Sequence, residues 1–149
     1  MVSDSCKYFK EENITEIIEL ESDYPYIRNI IGTFVSASID SYKLVETEKA
    51  VSYEGQNLSG YNLLVDLNIE GEVEYSSQNY SHKVFHFPFE TIKTISVAVP
   101  DNINEVDIES LINEEKFIIT PTIEFADTIR LKKDLLQTFT MIFLDVKFI

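Results

Sequence analysis

From Thr33 onward, apolar and polar residues alternate with a period of two over most of the chain. That period belongs to strands with one buried and one wet face. Val35, Ala37 and Ile39 alternate with Ser36, Ser38 and Asp40. Near Ser41 the phase slips and Tyr42 and Leu44 take over, as a β-bulge would cause. Residues 50–53 read as a short strand, and Glu54-Gly55 and Ser59-Gly60 as turns. The clearest segment is residues 61–75. Val65, Leu67, Ile69, Val73 and Tyr75 fall on one face, and Asp66, Asn68, Glu70, Glu72 and Glu74 on the other. A strand of that length, at ~3.3 Å per residue, spans roughly 50 Å, so a bend is expected near Gly71.

A turn over residues 76–79 leads into a return strand, 81–89, with Phe85, Phe87 and Phe89 on one face. Residues 94–99 alternate again until Pro100-Asp101-Asn102 breaks the pattern. Residues 106–112 fit either a strand or a short helix. Residues 117–125 alternate through Phe117, Ile119, Ile123 and Phe125, and Pro121 points to an edge strand or a bulge. The last segment, 135–149, is apolar on both faces. Phe139, Met141 and Phe143 lie on one side, and Ile142, Leu144, Val146 and Phe148 on the other. Such a strand is either central and covered twice, or covered once and turned toward a partner subunit. Phe139, Met141, Phe143 and Phe148 are therefore the candidate assembly residues.

The first 32 residues read differently. Asn13-Ile14-Thr15-Glu16 has capping-box spacing, and Ile14, Ile17 and Ile18 could share a helical face. The segment 1–24 is thus a short helix or an extended arm. Pro25 opens a second helical pattern through Ile27, Ile30 and Ile31, with Gly32 as its stop. Strand following strand without long helical patterns predicts an all-β fold. We expect one antiparallel β-sandwich of roughly seven to nine strands over residues 25–149, preceded by the arm. Val65, Leu67, Ile69, Phe85 and Phe87 are its expected core.

Composition agrees with that class. A chain of 149 residues with ten Phe, eight Tyr and 44% hydrophobic residues suits a single β-rich domain. Charge narrows the partners. Twenty-six acids against twelve bases give a net charge of −14, which disfavours nucleic acid and anionic membranes alike. Residues 1–13 hold no apolar stretch of signal-peptide length. The apolar runs, such as residues 141–144, are too short to cross a bilayer as a helix. Synthesis in the cytoplasm without a signal peptide and without membrane insertion is the expectation. The glycosylation patterns at Asn13, Asn57 and Asn79 then carry no glycan.

Candidate chemistry is sparse. Four glycines, at 32, 55, 60 and 71, form no phosphate loop or nucleophile elbow. No catalytic, cofactor-binding or metal-binding residue is assigned, and an enzyme is disfavoured. His82 and His86 would share a strand face, but at roughly 13 Å they cannot both ligate one zinc ion. Glu70, Glu72 and Glu74, with Asp66, offer oxygen ligands for calcium, yet ~7 Å spacing along one strand builds no cage. A solvated face, with Lys83 across the hairpin, explains them. The single cysteine, Cys6, excludes an intramolecular disulfide; it is an inert thiol or an inter-subunit cross-link.

The order of several short motifs resembles the SPOCS domain of spore coat and exosporium proteins from clostridia and relatives. These motifs are Val45-Glu46-Thr47, Ser52-Tyr53-Glu54-Gly55-Gln56-Asn57-Leu58-Ser59-Gly60-Tyr61, the strand from Val65 to Tyr75, and Val84-Phe85-His86-Phe87-Pro88-Phe89. Tyr26-Ile27-Arg28-Asn29-Ile30 stands where the family has its opening motif. Residues 113–116, Asn-Glu-Glu-Lys, lack the Arg usual there. The resemblance implies non-catalytic scaffold work at the spore surface, with copies of this chain or other spore coat proteins as partners. A free C-terminal edge would also favour self-association, with residues 1–24 adding to a neighbour's sheet and Cys6 locking the junction. Binding of a small ligand or carbohydrate on an aromatic face is the alternative.

Overall fold

Among the described residues the alternating stretches become strands, and several of them fuse; the short strand read over residues 50–53 and the turn at Glu54-Gly55 lie outside those residues. A computed structural model describes residues 8–47, 60–78 and 80–149. Its elements are β1 (Tyr8–Glu19), β2 (Asn29–Glu46), β3 (Tyr61–Ser77), β4 (Tyr80–Val99), β5 (Asn102–Ile103), β6 (Val106–Asp107), α1 (Ile108–Asn113), β7 (Phe117–Lys132) and β8 (Leu135–Phe148). Two three-stranded antiparallel sheets face each other as an all-β sandwich. The terminal sheet has the order β1-β8-β7, and the middle sheet β2-β3-β4. A hydrogen bond between the hydroxyls of Thr33 on β2 and Thr128 on β7, 2.7 Å long, ties one pair of edges.

Two helical readings near the N-terminus are corrected. Residues 8–19 pair with β8 along their whole length, from Tyr8↔Val146 to Glu19↔Leu135. The described part of that segment, read as a short helix or an extended arm, is thus an edge strand, with Ile14 buried in the main core. Residues 25–28 form no helix either, because their backbone donors are committed elsewhere. Ile27 N–H donates to Lys133 O at 2.7 Å and Arg28 N–H to Ser76 O at 2.7 Å, while the Ile27 side chain is buried. Neighbouring strands won over a local 3.6-residue period, as tertiary context often does.

Other expectations are met or refined. The phase slip at Ser41 is a bulge between Ile39 and Ser41. Pro121 lies on β7, an edge strand of its sheet. Residues 106–112 divide between the two readings, two in β6 and the rest in α1, where Ile108, Leu111 and Ile112 turn one buried face to the core. The segments 81–89 and 94–99 are one strand, β4.

β3 runs through Gly71 without interruption, and the glycine serves packing. A Cβ there would collide with the Phe89 side chain, because the ring of the directly paired Phe89 covers the bare backbone. Gly71→Val is expected to cost about 1–3 kcal/mol through overpacking. In urea unfolding, the same substitution beside Phe89→Ala should cost clearly less. Equal costs in both backgrounds would remove the ring from the explanation.

The core has two parts. Val65, Leu67, Ile69, Ile142, Leu144 and their neighbours form the main one. Leu20, Ile27, Val73, Tyr75, Phe87 and Leu136 form a second, with Phe85 and Phe89 half-buried against it. Of the five residues expected in the core, Phe85 alone sits at its margin.

Candidate assembly surface

Alternation along β8 separates its two faces. Leu136, Thr138, Thr140, Ile142, Leu144 and Val146 are buried against the middle sheet. Phe139, Met141 and Phe143 point the other way and are half-buried. The register surrounds them. Phe143 lies between Glu11 and Thr122, Met141 between Asn13 and Phe125, and Phe139 between Thr15 and Asp127. Phe9 stacks on Phe143 with centroids 5.3 Å apart. Ile17 is 65% exposed and Phe125 53%. Together they make an aromatic and aliphatic face on the outside of the terminal sheet. A shallow depression of about 310 Å³ opens in it between Asn13, Thr15, Phe125, Phe139 and Met141. Large exposed apolar patches of this kind mark interaction sites.

Phe148 does not belong to this face. It turns inward, edge-on to Tyr8 at 5.6 Å and tilted against Phe117 at 6.3 Å, and closes one end of the core. Cys6 lies outside the described residues. Phe125 is a second correction. The irregularity between Ile123 and Phe125 moves it from the inner face, where strict alternation puts it, to the outer one beside Met141. Phe9 stands among charged residues and Ile17 fits a helical face with Ile14 and Ile18, and only the pairing of β1 with β8 brings the two here.

The charges on this face are mostly acidic. Register places Glu11, Glu19, Asp127 and Asp145 on it, with Glu124 at the bulge, against Lys132 and Lys147. Glu124 lies close to Glu11; the tendency of the two carboxyl groups to hydrogen-bond first, then partial desolvation and the charge of Glu11, raises the Glu124 pKa above its ordinary value. Asp145 Oδ1 is buried and has no hydrogen-bond partner among the described residues.

The acidic face of β3, on the middle sheet, is wired differently from the sequence expectation. His86, not Lys83, stands across from it, with Nδ1 2.9 Å from Glu72 and 3.4 Å from Glu74. Asp66 accepts hydrogen bonds from Thr94 and Ser41, which hold its pKa below the usual value. His82 has a left-handed φ of 67° where the register jumps after Ser76, so it leaves the alternation that would align it with His86. No three His, Cys, Asp or Glu side chains among the described residues converge as a metal site would need.

A groove of about 660 Å³ lies at one end of the sandwich. Tyr24, Tyr26, Tyr80 and Phe85 line it together with Glu19, Glu21 and Asp134. Lys83 lies over the Tyr80 and Phe85 rings at 5.9 and 5.5 Å, where the sequence reading had placed it opposite the glutamates. Among the described residues no helix is long and apolar enough to cross a membrane. No family model matches the chain, and neither a curated protein nor a solved structure does.

Proposed function

We propose that the chain is a non-catalytic structural or assembly protein of the bacterial spore surface, in the coat or exosporium. It joins copies of itself or other coat proteins. The outer face of the terminal sheet carries this reading, because Phe9, Phe125, Phe139, Met141 and Phe143 gather there with no element of the described chain packed over them. The resemblance to the SPOCS domain supplies the setting. The chain reaches that surface after synthesis in the cytoplasm.

Two measurements test it. Immunogold labelling of sections of sporulating cells should decorate the spore surface; label confined to the mother-cell cytosol overturns the setting. The double variant Met141→Glu/Phe143→Glu should leave the coat fraction for the soluble one, with an unchanged circular dichroism spectrum. Two carboxylates on an interface core would cost several kcal/mol of association, since each is buried without a partner. Retention of the variant in the coat fraction would mean that this face does not assemble.

A second reading, a binding module for a small ligand or carbohydrate, is favoured by the groove beside Tyr24, Tyr26, Tyr80 and Phe85. Its aromatic walls and convergent polar groups suit a sugar ring. Tyr80→Ala should then abolish retention on immobilised glycans; equal retention of the variant would discard this reading.

A further inference from the structure

The apolar face of the terminal sheet has an acidic surround, and that surround selects what can sit on it. Glu11, Glu19, Glu124, Asp127 and Asp145 stand against Lys132 and Lys147, and the whole chain carries −14. Resting on the assembly reading, we propose that this face docks a cationic protein surface, apolar at its centre and ringed by Lys or Arg, rather than a second copy of the chain.

Three observations converge on that occupant. The first is repulsion. Two such sheets packed face to face would sit roughly 10 Å apart with their side chains interdigitated, so carboxylates would meet carboxylates well inside the ~8 Å Debye length of physiological salt. The second is the Asp145 side chain. Its Oδ1 is sunk into the face between Phe9 and Thr120 and has no partner among the described residues. A buried carboxylate oxygen calls for a donor, best a charged one. The third is the Glu11–Glu124 contact, which reaches over the β8 row beside Phe143. Two carboxylates so close repel one another, and an ammonium or guanidinium group placed beside them relieves that repulsion. A second copy would bring to this face its own excess of carboxylates. Electrostatic complementarity of this kind fixes partner choice more than it fixes affinity.

The probes are three synthetic peptides that alternate Phe with Lys, Ser or Glu, measured against the full chain by fluorescence anisotropy. The Lys peptide should bind at least about tenfold tighter than the Ser peptide, and its affinity should fall as NaCl rises from about 20 to about 300 mM. The Glu peptide should not bind. Met141→Glu/Phe143→Glu should abolish binding of the Lys peptide even though it adds negative charge; a merely non-specific attraction would strengthen instead. Glu11→Gln/Asp127→Asn/Asp145→Asn should weaken the Lys peptide about tenfold and bring on self-association in sedimentation velocity. Equal binding of the Ser and Lys peptides overturns the proposal. Self-association of the unaltered chain through this face at low salt overturns it too, while leaving the assembly reading intact. If Met141→Glu/Phe143→Glu changes neither peptide binding nor self-association, the assembly reading itself fails.

Discussion

Phe87→Ala is expected to lower the free energy of unfolding by about 3–5 kcal/mol, the range for deleting a buried aromatic ring. The ring is 7% exposed and belongs to the smaller core cluster with Leu20, Ile27, Val73, Tyr75 and Leu136. Tyr24 meets it edge-on at a centroid distance of 4.9 Å, so the substitution removes an aromatic pair as well as area. The neighbours cannot close over the space, because the loop before β2 is pinned by backbone bonds from Leu20 to Asp134 and from Ile27 to Lys133. Domains of this size have roughly 5–15 kcal/mol in total, so the loss is a large part of the whole. Phe87→Leu should cost less than about 2 kcal/mol, since it conserves most of the volume. Urea unfolding followed by circular dichroism measures both, with an unchanged m-value as the control. A cost below about 1 kcal/mol for Phe87→Ala would show that this cluster is not a rigid part of the core.

Phe87 also shows which parts of the fold were legible beforehand. Its inward direction follows from the alternation of Phe85, Phe87 and Phe89, and the same period puts Val65, Leu67 and Ile69 in the core and Glu72 and Glu74 in water. Period-two patterning is dictated by the pleat itself, so it survives into the structure wherever pairing is regular. The N-terminal strand was not legible for the opposite reason. Ile14, Ile17 and Ile18 fit a helix as well as a strand, and only pairing with β8, more than a hundred positions away, decides between them. The loop at Pro25 has the same cause, since its donors are taken by Lys133 and Ser76.

The outer face of the terminal sheet was half legible. Phe139, Met141 and Phe143 stand out because β8 is apolar on both sides, and the structure gathers them on the outer face. Phe148 belongs to the same strand but has the opposite parity, and it closes the core. Phe9 and Phe125 could not be found from local pattern. One lies in a charged segment, and the other changes face at an irregularity in β7. Residues that meet only through register, as Phe9 does with Phe143, leave no trace in the spacing of either strand.

Stability should fall between about pH 10 and pH 12, and Tyr75 should account for a resolvable share of the fall. Its ring is fully buried, and its hydroxyl donates to the Pro25 carbonyl at 2.8 Å. Burial first, then the nearby Tyr24 phenol, pushes its pKa up to about 12. In the unfolded chain the same phenol titrates near ~10. The folded form therefore keeps a proton that the unfolded form gives up above about pH 10, and deprotonation favours unfolding. The contribution is complete below the unfolded value and is lost as pH rises through the folded one. Two pH units correspond to roughly 2–3 kcal/mol. Tyr75→Phe removes the titration along with the hydrogen bond. At pH 8 it should be less stable by about 1–3 kcal/mol, because the Pro25 carbonyl loses its donor. The difference between the two proteins should then shrink as pH approaches 12, because the wild type alone carries this buried phenol. The exposed lysines and the other tyrosines are common to both and cancel in the comparison. Thermal melts of both proteins across this range make the measurement. A stability difference that stays constant with pH would mean that Tyr75 ionises no differently folded than unfolded.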